Sequence, residues 1–139
     1  MIGNLLFSKS MSLMGKGLDA ASLRNTVISD NLANIETPGF KKSDVVFEDE
    51  LKKALTRTGP IQGMITNAKH IPIGQPSVPQ ISPAVVRQNS TTIRNDGNNV
   101  DIDSEMAAMA KNTITYSALA QLLNGEFSKL KSAISEGRR

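Results

Sequence analysis

A stripe of apolar residues in the last third of the chain limits its fold more than any other feature. Ile102, Met106, Met109, Thr113, Tyr116, Ala120, Leu123, Phe127, Leu130 and Ile134 follow one another at alternating steps of four and three. That alternation puts every member on one side of an α-helix and is the pattern of a coiled-coil seam. Ile114, Leu119 and Leu122 widen it. Asp101, Asp103 and Glu105 stand where a helix start favours acids and an Asp cap. Lys129, Lys131, Arg138 and Arg139 stand where its end favours bases, and Gly137 supplies a terminator. A helix over 103–136 would be about 50 Å long at about 1.5 Å per residue. Such length with an unbroken heptad argues for a coiled coil rather than a globular helix.

The opposite end carries a second stripe. Met14, Leu18, Ala21, Asn25, Ile28, Leu32 and Ile35 keep the same alternation, with Leu13, Ala20 and Val27 on one flank. Gly15 and Gly17 weaken a helix, so the pattern predicts a start near Leu18. Asn25 is the polar member of the stripe, and one amide in such a seam can fix the register of packed helices at some cost in stability. Hydrophobic residues make up 39% of the 139-residue chain and aromatics 4%, without tryptophan. That is thin material for a self-sufficient core and suits helices that bury their stripes against neighbours, other subunits included.

Between the stripes the chain changes character. Residues 57–100 hold five of the six prolines and four of the ten glycines. Pro72, Pro76, Pro79 and Pro83 exclude a central strand across 72–83, while Ile61–Ile65, Val85-Val86 and Thr91–Arg94 are short β-prone pieces. A short helix precedes this segment. Phe47, Leu51 and Leu55 line its apolar face, and Glu48–Lys52 and Asp49–Lys53 are spaced as ion pairs on its outer face. The expected fold is mainly α: an N-terminal helical segment with an elbow and a short helix (1–56), an extended, partly disordered loop with at most a β-hairpin (57–100), and a C-terminal coiled-coil helix (101–139), together one domain.

Several chemistries find no support in the residues. Cysteine is absent, which removes disulfides and thiolate metal sites. The net charge is +3, with bases scattered among acids rather than gathered beside stacking aromatics, so a nucleic-acid surface is not expected. The first residues, MIGNLLFSKSMSLMGKG, lack the basic and apolar regions of a secretory signal, and no run approaches the about 18 apolar residues of a membrane span. The run DGNNVDIDSE spaces oxygens like a calcium loop, but such a loop needs glycine and glutamate where Asp101 and Ala107 stand. A turn at Asp96-Gly97 followed by capping acids accounts for it better. His70 is the single histidine and has no nucleophile beside it, and GKG at 15–17 lacks the rest of a phosphate loop. No catalytic set, metal site or cofactor site assembles, and the chain is not expected to be an enzyme.

The end of the first stripe is elaborate. In SDNLANIETPGFKK, Pro38 stops the helix and pushes Thr37 into an extended conformation. Pro38-Gly39 suits the central positions of a type II turn, where glycine tolerates positive φ. Phe40 would then swing back as an apolar anchor, while Asn31 and Asn34 share one side of the last helical turn.

That stretch resembles the signature of bacterial flagellar rod and hook axial proteins, in which Ala-Asn, two variable residues, Thr-Pro-Gly, an aromatic and a basic residue close the first helix. Here these are Ala33, Asn34, Thr37, Pro38, Gly39, Phe40 and Lys41. KSDVVFEDEL and the C-terminal stripe resemble the same family, and the short chain is similar to its proximal rod members, since distal members carry larger inserted domains. The resemblance covers about residues 5–55 and 95–136 and does not extend through the proline-rich middle. Ser29-Asp30 departs from the small, uncharged residues common there.

The resemblance implies a structural rod subunit, exported through the flagellar type III apparatus and built into a hollow shaft through its terminal helices. Its implied partners are copies of itself, other rod proteins, the rod-base adaptor, the membrane ring and the export gate, with no nucleic acid, cofactor or small-molecule substrate. Asn31, Ala33, Asn34 and Thr37 to Lys41 are then the expected assembly elbow. Leu18, Ile28, Leu32, Ile35, Met106, Met109, Tyr116, Leu123, Phe127, Leu130 and Ile134 are the expected helix seam. The alternative is a cytoplasmic helical adaptor or chaperone-like module that uses the same stripes to hold one partner.

Overall fold

The computed structural model describes residues 9–56 and 81–136. In chain order these form helix α1 (Lys9–Ala33), strand β1 (Ser43–Val46), helix α2 (Glu48–Thr56), strand β2 (Ala84–Arg87) and helix α3 (Ile102–Glu136). The architecture is mainly α, as the stripes predict. The two long helices run antiparallel, with Asn31 beside Glu105 at one end and Gly17 against Leu119 further along. Of the expected loop 57–100, residues 57–80, with His70 and four of the prolines, lie outside the described residues.

Helix α3 is 35 residues long, about 52 Å at about 1.5 Å per residue. Asp101 caps it, its Oδ1 accepting the Asp103 N–H at 3.1 Å. Helix α1 starts nine residues before Leu18, running through both glycines. Tertiary packing explains this. A Cβ at Gly17 would lie 3.0 Å from Leu119 Cδ1, so the glycine that weakens the isolated helix allows α3 to come close.

The core differs from the predicted stripes by a rotation of each helix. On α1 the buried residues are Met11, Ala20, Ala21, Val27 and Ile28, and Val45, Phe47 and Val100 close over them. The flank Ala20 and Val27 therefore sits at the centre, and Asn25 is exposed. On α3 the side turned to α1 runs through Glu105, Met109, Asn112, Leu119, Leu123, Glu126 and Leu130. It shares Met109, Leu123 and Leu130, and half-buried Ala120, with the predicted stripe but replaces Met106, Thr113 and Phe127 with neighbours one residue away. Small side chains on α1 draw α3 onto that side, and one partner helix cannot cover both rows.

Strand β2 pairs antiparallel with β1, with Ser43 opposite Arg87 and Val46 opposite Ala84. The β-prone Val85-Val86 thus finds its partner in the N-terminal segment rather than in a local hairpin. Phe47 is buried ahead of α2 and Leu51 half-buried within it. Glu48 turns to Arg24 of α1 at 2.7 Å, and Lys53 pairs with Glu50 at 2.7 Å.

Candidate functional site

The elbow after α1 is a tight turn held from a distance. The Phe40 N–H donates to the Thr37 carbonyl at 3.3 Å, which places Pro38 and Gly39 at the turn centre. Gly39 has φ of 71°, the positive value that a type II turn needs there. Gly97 has φ of 84°, and a Cβ on it would lie 3.6 Å from Gly39 Cα. The Gly39 N–H donates to the Asp96 carbonyl at 2.9 Å. Two reversals, one from each half of the chain, therefore touch at their glycines.

Past the end of α1 the chain turns with several carbonyls facing inward, and Asn98 adds a donor to three of them. Its Nδ2 donates to the carbonyls of Asn34, Ile35 and Thr37 at 3.1, 2.9 and 3.0 Å. Its Oδ1 accepts the Val100 N–H at 2.8 Å, and its own N–H reaches Asp96 Oδ1 at 3.0 Å. Asn99 binds the strand that leaves the elbow: Oδ1 accepts the Lys42 N–H at 2.7 Å, while Nδ2 donates to Gln88 O and Thr91 Oγ1. Arg94 reinforces the helix end through the Ile35 carbonyl and Glu36. Lys41 reaches Thr91 O and Thr92 Oγ1 at 2.8 and 3.1 Å. Arg87 lies over the Phe40 ring, 5.9 Å from its centre.

Asn31 completes the clasp from α1. Its amide pairs with both backbone groups of Ser43, accepting the N–H at 3.0 Å and donating to the carbonyl at 2.8 Å. The same Nδ2 reaches Glu105 Oε2 at 3.1 Å, and Lys42 stands 3.5 Å from the other carboxylate oxygen. Asn31, Asn98 and Asn99 are each at most 1% exposed and are the largest fully buried side chains among the described residues. Buried amides are stable only when their bonds are made, and these are made.

Among the expected elbow residues, Asn31 is buried and Asn34, Phe40 and Lys41 are half-buried, while Ala33, Thr37, Pro38 and Gly39 face solvent. Asn34 does not join the clasp through its amide; Nδ2 turns back to the Asp30 carbonyl at 2.8 Å and Oδ1 accepts the Thr37 hydroxyl at 3.3 Å. The buried amide that ties α1 to its surroundings is Asn31, not Asn25. Asn98 and Asn99 lie outside the expected elbow residues. Their signal was the NN pair beside a Gly turn ahead of a capped helix, and its partner lay too far back in the chain to be seen. Among the described residues no group of three His, Cys, Asp or Glu side chains could hold a metal ion.

A second site is defined by exposure. On α3, Ile102, Met106, Phe127 and Ile134 are 49–67% exposed, and Tyr116 is little more covered. On α1 the seam residues are better covered: Ile28 is buried, and Leu18, Leu32 and Ile35 are half-buried. Between α1, β1 and α3 the Glu48–Arg24 pair closes one groove. Burial alone would raise the Glu48 carboxyl, but the Arg24 hydrogen bond and nearby backbone donors outweigh it and hold the group below its ordinary value.

Long antiparallel terminal helices, joined through a Thr-Pro-Gly elbow and bearing an uncovered apolar row, define the class: an axial subunit of the flagellar kind. A family model described as flagella basal body rod protein matches residues 14–41, which is most of α1 together with its elbow. A Bacillus subtilis protein named flagellar basal body rod protein FlgB is 32% identical over 96% of this chain and 98% of its own. One of the same name from Borreliella burgdorferi is 39% identical over 79% and 84%, and one from Escherichia coli is 29% identical over 88% and 90%. The chain belongs to the family of flagellar basal body rod proteins FlgB.

Proposed function

We propose that this chain is a structural subunit of the proximal flagellar rod, exported by the flagellar type III system and assembled through its terminal helices into the hollow drive shaft. The observation that carries the reading is the outward row of α3, in which Met106, Phe127 and Ile134 are 49–67% exposed while the buried amides of the elbow have their bonds made. An apolar row of that extent on one helix marks an interaction surface. A contact between unlike faces of successive copies does not close on itself and builds a helical tube. In this assembly the elbow sets the angle at which α1 meets β1, so every copy presents its row in the same direction. No helix among the described residues is long and apolar enough to cross a membrane, which fits a subunit held by packing rather than by lipid. Partners on this reading are copies of the chain, other rod proteins, the rod-base adaptor, the membrane ring and the export gate. The role is mechanical and needs no catalysis.

The test is to replace the resident gene with a tagged copy and purify basal bodies. The chain is expected in the rod, traceable in a cryo-EM map at its membrane-proximal end. Swimming cells whose basal bodies lack the chain would overturn the reading.

A further inference from the structure

The sheet of β1 and β2 has two outer edges, and the chain treats them differently. The Gln88 N–H donates to the Lys42 carbonyl at 2.9 Å, and Ser43 stands opposite Arg87. In an antiparallel ladder of that phase, Asp44 with Val86 and Val46 with Ala84 exchange the bonds between the strands. Ser43 and Val45 then turn their backbone groups to one outer edge, and Val85 and Arg87 turn theirs to the other. On the β1 edge a side chain meets every such group. Asn31 holds the N–H and carbonyl of Ser43, Asp44 Oδ1 accepts the Val45 N–H at 2.7 Å, and Arg24 donates to the Val45 carbonyl at 3.2 Å. On the β2 edge, no described residue bonds the outward N–H or carbonyl of Val85 or Arg87.

A row of unpaired N–H and carbonyl groups is a template for a further strand. β2 is anchored at both ends to present it. Lys16 of α1 donates to the Ile81 carbonyl at 2.6 Å ahead of the strand, and Asn99 holds the Gln88 carbonyl at 2.9 Å behind it. Val85 and Val86, on opposite faces, are 50% and 48% exposed. The charge beside this edge is one-sided. Arg87 lies over Phe40, and Lys41 reaches across to Thr91 just past the strand. Among the described residues neither cation has a carboxylate within ion-pair distance. Arg24, Lys42 and Arg94 each have one.

We infer that the open edge of β2 takes a third strand from another protein, an extended segment in which carboxylate side chains alternate with apolar ones. Main-chain bonds to Val85 and Arg87 hold the segment. The alternation sets its apolar row beside Val86 and its acids on the face of Arg87, where they neutralise a cation that lacks a partner. A second copy of the chain fits less well. Among the described residues its free strand edge is its own β2, which would set Arg87 beside Val85 or beside another Arg87 and bring no acid. Two like edges also close on each other as a pair. The edge belongs to the folded chain whatever it builds, so a failure to bind here leaves the rod reading standing.

The probe is a seven-residue peptide of alternating valine and glutamate, blocked at both ends, set against its valine–lysine counterpart. Each is titrated into the isolated full chain while amide exchange is followed by NMR. At ten times its dissociation constant the glutamate peptide is expected to slow exchange at the Val85 and Arg87 N–H about ten-fold. The Ser43 and Val45 N–H, already bonded, are expected to stay unchanged, and the lysine peptide is expected to change none of the four. No slowing at millimolar peptide, or equal slowing by both peptides, overturns the inference. So does slowing that grows with the concentration of the chain alone, which would make a second copy the occupant. Val85→Pro removes an outward N–H that β1 does not use, so it is expected to keep the melting temperature and lose the peptide. Arg87→Glu decides even if the proline variant fails to fold. It is expected to reverse the preference toward the lysine peptide, and an unchanged preference for glutamate would overturn the inference.

Discussion

The elbow and the far half of α3 solve opposite problems. At the elbow, three amides with almost no exposure satisfy helix-end carbonyls, strand backbone and a buried carboxylate, and no partner is left to add. Along α3, large apolar side chains stand in water and a buried amide oxygen lacks a donor. A region with its bonds complete specifies its own shape. A region with surface to spare specifies what it must join. One chain of 139 residues thus separates self-definition from association, with the polar part doing the first and the apolar part the second.

That contrast can be broken most decisively on α3. Met106→Ser with Phe127→Ser is expected to change urea-unfolding stability of the isolated chain by no more than about 0.5 kcal/mol, as exposed sites do. The same variant is expected to be missing from purified basal bodies and to abolish swimming. If the variant unfolds instead, the row belongs to the core and the contrast is false. Next in size comes Asn98→Ala, which removes one donor from each of three elbow carbonyls, leaving them the Thr37 N–H, Arg94 and the Phe40 N–H, and empties a fully buried site. It should cost about 3 kcal/mol in urea unfolding, whereas Asn124→Ala on the exposed side of α3 should cost little. Equal costs at the two asparagines would erase the distinction.

Gly39→Val tests the turn itself. With φ of 71°, a β-branched residue is strained by about 1–2 kcal/mol, while Gly39→Asn tolerates the same backbone. Rod incorporation measured for both should follow that order, and a Val variant that assembles normally would remove the turn from the mechanism. The smallest effect concerns Glu48. Its carboxyl is held below the ordinary 4.5, so the stability it contributes is present above pH 4.5 and drains as pH falls through the lower folded value. The carboxylate is largely exposed, and the contribution is expected to be well under about 1 kcal/mol. Glu48→Gln should flatten that part of the acid-unfolding curve; an unchanged curve would separate the Arg24 contact from stability.

Periodicity made both long helices legible, and with them the fold class. Turn chemistry made the elbow legible down to the positive φ at Gly39, because Pro-Gly leaves the backbone few choices. Three features resisted for physical reasons. The start of α1 at Lys9 depends on Leu119 filling the space over Gly17, a contact between residues far apart in sequence. The choice on α3 between the apolar row and the partly polar row one residue before it depends on which side the small residues of α1 admit. The amide that holds the register is Asn31 rather than Asn25, since a seam rotated by its flank changes which asparagine points inward. Spacing reports that a helix has a greasy side; only the partner decides which edge of that side is used.

Thr37 and the amide that caps it stand 61 residues apart along the backbone. A fragment ending before residue 98 would spell the whole Thr-Pro-Gly motif and keep its local turn bond, but lose every bond that Asn98 and Asn99 make to the elbow. The motif is therefore only half of a fastening, and its other half comes late in any chain that emerges N-terminus first. Until that late piece arrives, the bend is a hinge; afterwards it is a bracket.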